Sequence, residues 1–161
     1  MEKIIKVGMA DLNVCKAPDG ITTLGLGSCV GVALYDKDTK TAGLVHVMLP
    51  ESTKVRQNQN KAKFADTGID LLIQQMRSSG AKVDRLTAKI AGGAQMFAFN
   101  SDNDMLRVGE RNVDAVKKKL QQLKIPILAE ETGSNYGRTV IFYPATGEFV
   151  IKAVGKPIHS I

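Results

Sequence analysis

Val30-Gly31-Val32-Ala33-Leu34-Tyr35 and Ala42-Gly43-Leu44-Val45-His46-Val47-Met48-Leu49 are two apolar runs separated only by Asp36-Lys37-Asp38-Thr39-Lys40. Each run has the length of a strand and the segment between them is polar, so the pair reads as a β-hairpin. His46 is out of character in such a strand, because a buried imidazole needs a partner. With the turn near Lys37–Asp38, His46 lies opposite or nearly opposite Cys29. Opposed residues of antiparallel strands have Cβ atoms about 5 Å apart, the separation at which an imidazole can take a proton from a thiol. The other reading of His46 is a core histidine satisfied by backbone groups.

Just upstream stands Thr22-Thr23-Leu24-Gly25-Leu26-Gly27-Ser28-Cys29-Val30-Gly31. A thiol directly after a Gly-Leu-Gly-Ser turn suits a nucleophile, since glycines admit positive φ and close approach of a substrate. Backbone N–H groups around Gly27 and Ser28 can converge on a developing negative charge. A buried structural cysteine is the competing reading. A dinucleotide fingerprint fails at its last glycine, where Val30 stands. A cysteine–histidine pair also needs a group to orient the ring. Asp36 and Asp38 sit at the far end of the hairpin, which leaves Thr23, in the strand leading into the glycine turn, as the candidate.

Outward from the hairpin, the chain is rich in short strands. Lys3–Val7, Leu12–Lys16 and Ile21–Leu26 precede it, with Asp19-Gly20 as a turn. Pro50 closes the second arm, and Glu51–Lys63 is polar and aperiodic, a loop. Ala65, Ile69, Leu72 and Met76 then repeat at helical spacing up to Gly80. Leu86–Ala91 is a strand ending at Gly92-Gly93, and Asn100–Asp104 is turn-like. Val113, Val116, Leu120 and Leu123 mark a second helix, with Lys117, Lys118 and Lys119 on its wet side, ended by Pro126. Ile127–Glu131, Thr139–Tyr143 and Glu148–Val154 are strands, the last two joined at Thr146-Gly147. Strands and helices do not alternate, which argues for an α+β domain with helices on the outer faces of a sheet core and against a doubly wound fold. No linker divides residues 1–161, so one domain is expected.

Composition narrows the function. Of 161 residues, 43% are hydrophobic and 24% charged, as in ordinary soluble domains. The longest nearly apolar run, Leu24–Tyr35, is too short to span a bilayer, and the N-terminal Met1-Glu2-Lys3-Ile4-Ile5-Lys6 is unlike a signal peptide. A cytoplasmic protein without membrane insertion is expected. Cys15 and Cys29 are then thiols. With His46 and His159 they match no zinc spacing, so no metal is expected. The net charge of +6 comes with five phenylalanines, three tyrosines and no tryptophan. Nucleic-acid binding would want basic residues interleaved with exposed aromatics, and an acidic protein partner accounts for the charge at least as well.

The motifs Thr23-Leu24-Gly25-Leu26-Gly27-Ser28-Cys29, His46-Val47-Met48-Leu49-Pro50, Phe64-Ala65-Asp66, Gly92-Gly93-Ala94-Gln95-Met96-Phe97, Gly109-Glu110-Arg111-Asn112 and Thr132-Gly133 occur in this order. In them the chain resembles the CheD family, chemoreceptor glutamine deamidases of bacterial chemotaxis. The resemblance places the family's catalytic Thr, Cys and His on Thr23, Cys29 and His46. It implies two packed mixed β-sheets flanked by helices, similar to the catalytic domain of cytotoxic necrotizing factor toxins. It implies conversion of chemoreceptor glutamines to glutamate through a cysteine thioester, with no cofactor. It also implies a second partner, the CheC phosphatase. Gly92–Phe97 and Gly109–Asn112 then either shape the site or pack backbone tightly.

Two rival functions remain at this stage. One is another cysteine acyltransferase, a transglutaminase or a protease. The other is a non-enzymatic adaptor binding receptors or CheC. The loop Glu51–Lys63, with Lys54, Arg56, Lys61 and Lys63 against Glu51, is expected to steer an acidic receptor helix toward the site.

Overall fold

A computed structural model describes residues 2–52, 60–95 and 107–161. Strands β1 (Ile4–Val7), β2 (Leu12–Lys16), β3 (Gly20–Leu26), β4 (Val30–Asp36) and β5 (Thr41–Val47) come first. Helix α1 (Ala65–Ser78), β6 (Thr87–Gly92), α2 (Val108–Gln122), β7 (Ile127–Thr132), β8 (Arg138–Tyr143), β9 (Glu148–Lys152) and β10 (His159–Ser160) follow. They form two five-stranded sheets, ordered β1-β3-β8-β9-β10 and β2-β5-β4-β6-β7. Each is mixed, because β1–β3 and β6–β7 pair parallel and the other pairs antiparallel. The architecture is α+β.

Strands β4 and β5 read as nearly continuous apolar runs because both their faces are covered. Val30, Val32, Leu34, Val45 and Val47 face Ile69, Leu72 and Met76 of α1 and Val116 and Leu120 of α2. Both helices therefore share the outer face of the second sheet. On the opposite face Ala33, Ala42 and Leu44 meet Ile21, Leu26, Val140, Phe142, Phe149 and Ile151 of the first sheet. Side chains alternate along a strand, so parity decides which core each residue enters. Gly31 and His46 share parity with Ala33 and Leu44, which puts them between the sheets.

The hairpin closes one residue later than the spacing suggests. Its last ladder pair at the turn is Asp36↔Thr41, and the register runs through Gly31↔His46 to Val30↔Val47. Cys29, just before β4, is therefore two positions out of register with His46, on the same face and diagonal to it. The turn chemistry explains the shift. The Asp36 carboxylate accepts from Asp38 N at 3.1 Å, and Lys40 takes a left-handed φ of 52°.

Other differences have local causes. Helix α2 starts at Val108, before the first periodic apolar residue, because its first turns bury Gly109 and Asn112, to which apolar periodicity is blind. Lys61–Lys63, part of the expected loop, forms a 3₁₀ turn whose Ala62 N–H is capped by Asn60. The two-residue β10 carries no pattern long enough to read. Lys54, Arg56 and Asn100–Asp104 lie outside the described residues.

The far end of the hairpin is pinned by Asp36, whose side chain is fully buried. It accepts from Arg85 Nη2 at 2.8 Å and Nε at 3.1 Å, and from Lys82 N at 3.0 Å. The Arg85 guanidinium, more than any other neighbour, holds this carboxyl well below the usual carboxylate range. A depressed folded-state pKa gives stability that is present above the unfolded pKa and lost as pH falls below it. Asp36→Asn should cost about 2 kcal/mol at neutral pH, since buried donors lose their acceptor. In thermal melts the gap between wild type and variant should shrink below about pH 4. A constant gap from pH 7 to 3 would contradict this account.

Candidate functional site

Strand β3 delivers Thr23 and then breaks. Its register with β8 shifts between Thr23 and Leu26, and Gly25 sits there at φ 70°, a conformation that disfavours any residue with a Cβ. Gly27 N bonds back to Gly25 O, and the chain crosses from the first sheet to the second through Gly27-Ser28-Cys29 before entering β4.

Three successive carbonyls of this crossing are held. Gly27 O accepts from Ala94 N at 2.8 Å, Ser28 O from Asn112 Nδ2 at 2.9 Å, and Cys29 O from Gly93 N at 2.8 Å. The N–H groups of Ser28 and Cys29 donate to no other residue among those described. The turn thus leaves donors free beside a partly buried thiol. Gly92 is indispensable to this fit. Its φ is 112°, and a Cβ there would lie 2.2 Å from Cys29 O. Gly109 is as close-packed, since a Cβ on it would lie 2.4 Å from Ala94 O. The Gly92-Gly93-Ala94 and Gly109–Asn112 motifs are therefore tight backbone packing applied to the Cys29 turn itself. Met96 and Phe97 lie outside the described residues.

His46 is fully buried on β5. Its Nδ1 lies 2.7 Å from Thr23 Oγ1, and Thr23 Oγ1 lies 2.8 Å from Val7 O. A hydroxyl has one hydrogen, and the Val7 carbonyl can only accept. Thr23 must therefore donate to Val7 and accept from His46. That fixes the proton on Nδ1 and leaves the lone pair on Nε2, which has no hydrogen-bond partner among the described residues. Burial pushes the His46 pKa down. Burial likewise pushes the Cys29 thiol up, partly offset by its own backbone N–H. Both shifts favour the neutral forms, a thiol and an imidazole, over a thiolate–imidazolium ion pair.

Sequence reasoning singled out Thr23, Cys29, His46, Gly27 and Ser28, and the structure gathers all five where β3, β4 and β5 meet. It did not single out Arg138. That side chain is buried, donates through Nε to Glu131 at 2.8 Å and through Nη1 to Gly133 O at 3.0 Å and Gly92 O at 3.4 Å, and so braces the glycine turn from behind. Nothing local in the sequence marks it. His159 is remote from His46 and is paired with Glu131. Among the described residues no cluster of His, Cys, Asp or Glu could hold a metal ion.

Residues 48–153 match the family model described as CheD chemotactic sensory transduction. That match begins after His46, but relatives cover the rest. The chain is 66% identical over its full length, and that of the relative, to the "Probable chemoreceptor glutamine deamidase CheD" of Lachnoclostridium phytofermentans. It is 56% identical to the "Chemoreceptor glutamine deamidase CheD" of Halalkalibacterium halodurans, over 96% of each chain. It is 54% identical to the "Probable chemoreceptor glutamine deamidase CheD" of Caldanaerobacter subterraneus, over 99% of this chain and 98% of the relative. The protein belongs to the CheD family.

Cys15 provides an internal control for the thiol environment. It is 7% exposed, and burial, with Asp19 nearby, pushes its pKa up to about 12. Iodoacetamide at pH 8 should therefore modify Cys29 at least about tenfold faster than Cys15, because the thiolate is the reacting form. Peptide mass mapping over time would read this directly, and equal rates would contradict the assigned environments.

Proposed function

We propose that this protein hydrolyses the side-chain amide of chemoreceptor glutamines to glutamate, with Cys29 as nucleophile, His46 as base and Thr23 orienting the imidazole. The observation that carries the reading is the forced tautomer of His46. His46, oriented by the Val7–Thr23–His46 hydrogen bonds, stands on the face of the sheet that Cys29 shares, and its Nε2 lone pair has no partner among the described residues.

The steps balance as follows. His46 Nε2 takes the Cys29 proton as sulfur attacks the carboxamide carbon, forming a C–S bond and a tetrahedral oxyanion. The N–H groups around Gly27, Ser28 and Cys29 donate to that oxygen. The imidazolium returns the proton to the departing nitrogen, the C–N bond breaks and ammonia leaves a thioester. Water, deprotonated by the same Nε2, attacks the thioester. The C–S bond breaks, the thiolate recovers its proton and glutamate is released. The scheme uses no cofactor. The Cys29 thiol and His46 Nε2 are not hydrogen-bonded in the free protein, and such contacts commonly tighten only with substrate in place.

The names of the relatives supply the receptor substrate. On this reading the reaction takes place on the cytoplasmic side of the receptor. No helix among the described residues is long and apolar enough to cross a membrane. CheC is proposed as a partner on the family resemblance.

Incubation with a receptor cytoplasmic fragment, followed by peptide mass mapping, tests the reaction. Deamidation should add about 1 Da at particular glutamines, whereas cross-linking or cleavage would change mass far more. Cys29→Ala should abolish turnover and His46→Ala should lose nearly as much, with the double variant no slower than the worse single one. Thr23→Ala should cost less, about 10- to 100-fold in kcat. A Cys29→Ala variant of near-wild-type activity would leave the adaptor reading in its place.

The pKa directions set a pH profile. The working pair holds one proton between thiol and imidazole. A second proton is gained only below the depressed His46 pKa, and the first is lost only above the raised Cys29 pKa. kcat/KM should be bell-shaped, with its acid limb below about 6.5 and its alkaline limb above about 8.5, the ordinary values for these groups. A plateau narrower than that interval would contradict the assigned directions of the two shifts.

A further inference from the structure

The β4–β5 ladder ends toward the site at Val30↔Val47. Beyond that pair the two chains part. Met48 N turns away to Lys63 O, and Cys29 O turns to Gly93 N. This divergence leaves the carbonyls of Ser28 and Met48 without ladder partners. A single side chain answers both. Asn112, fully buried in the first turns of α2, donates from Nδ2 to Ser28 O at 2.9 Å and to Met48 O at 2.9 Å. Both neighbours are carbonyl acceptors, so the amide orientation is fixed: the NH₂ group must face them.

Ser28 is the residue before Cys29, and Met48 is two residues after His46. We infer that Asn112 is a positioning residue of the proposed deamidase reaction, its one amide clamping the nucleophile turn to the base-bearing strand and so setting the distance from Cys29 Sγ to His46 Nε2. The inference rests on that reading for its effect on turnover. Few side chains could substitute. Aspartate has the shape without the two donors, leucine has similar bulk and no polar atom, and a hydroxyl has one hydrogen for two carbonyls. The Asn112 Oδ1 has no hydrogen-bond partner among the described residues. The amide thus occupies this buried position for its donors alone.

The contact touches none of the reacting atoms, so its loss should appear as misplacement and not as weakened substrate binding. Asn112→Asp and Asn112→Leu should each lower kcat about 10- to 100-fold, the scale of a displacement near 1 Å, while KM changes less than about threefold. A merely structural residue would not alter the chemistry of the thiol, and that is the decisive readout. The rate of Cys29 alkylation by iodoacetamide, followed from pH 5 to 10, should show in wild type a lower limb, from neutral His46 taking the thiol proton as sulfur attacks, that His46→Ala removes. Both Asn112 variants should lose that limb while keeping the wild-type circular dichroism spectrum.

A wild-type limb retained in both Asn112 variants would overturn the inference. So would a wild-type profile already identical to that of His46→Ala, which would leave nothing to position. Loss of the folded state in both variants would make Asn112 a residue of the fold and would also overturn it. The alkylation profile needs no receptor, so an absence of deamidation by wild type would count against the reaction and not against this assignment.

Discussion

Among the polar contacts that join the two sheets of this protein, one lies at the proposed site: His46 Nδ1 donates to Thr23 Oγ1. The bond joins β3 of one sheet to β5 of the other, in a region where water cannot substitute for a missing partner. Because Thr23 spends its only hydrogen on Val7 O, the chain of bonds has a single direction. Networks of this kind in a low-dielectric interior are strengthened when complete and costly when broken. Threonine is a weaker orienter than a carboxylate, but it has one advantage here. A carboxylate on Nδ1 would stabilise the imidazolium and raise the His46 pKa, whereas a neutral hydroxyl leaves burial to keep the ring uncharged.

That bond works only if other parts of the fold are in register. A one-residue slip of β5 would turn His46 into the core beneath the helices and put a valine between the sheets. The register is set at the opposite end of the hairpin, where Asp36 closes the turn and Arg85 and the Lys82 N–H hold Asp36. An ion pair with a buried carboxylate, far from the site, thereby contributes to the facing of its base. The nucleophile is fixed by a separate device. Its turn is held through carbonyls by Gly93, Ala94 and Asn112, and the close approach of Gly92 leaves no room for a side chain between them.

Much of this was legible in the sequence, and the parts that were not share a cause. Local patterns identified the hairpin, α1 and most strands, because apolar periodicity and turn residues act within a few positions. Cys29 and His46 stood out because a thiol after glycines and a histidine in an apolar strand are chemically incongruous, and Thr23 entered because no acid was placed to orient the ring. The hairpin register was read one residue short, since a carboxylate capturing a backbone N–H two residues away leaves no hydropathy signal. The start of α2 was missed for a similar reason: Gly109 and Asn112 are buried for close approach and for hydrogen bonding, and neither is apolar. Arg138 was missed because its partners, Glu131, Gly133 and the distant Gly92, come together only through pairing of separate strands.

The resting electrostatics give the proposed chemistry a particular character. In an ion-paired cysteine site the thiolate exists before substrate arrives, and its reactivity is available to any electrophile. Here desolvation acts on both partners in the direction of neutrality, raising the thiol and lowering the imidazole. On the proposed mechanism the proton then moves only as the carboxamide carbon is attacked, when the released negative charge passes to an oxygen that the N–H groups of Ser28 and Cys29 are free to receive. The stabilising donors are aimed at the charge of the transition state and not at that of the free sulfur, which is the arrangement that lowers a barrier without deepening the ground state. Glutamine is a poor acyl donor, and a site of this kind depends on geometry more than on intrinsic nucleophilicity. That places the burden on the backbone contacts that hold the Cys29 turn, and explains why so much of the glycine, amide and guanidinium chemistry of the fold converges behind one cysteine.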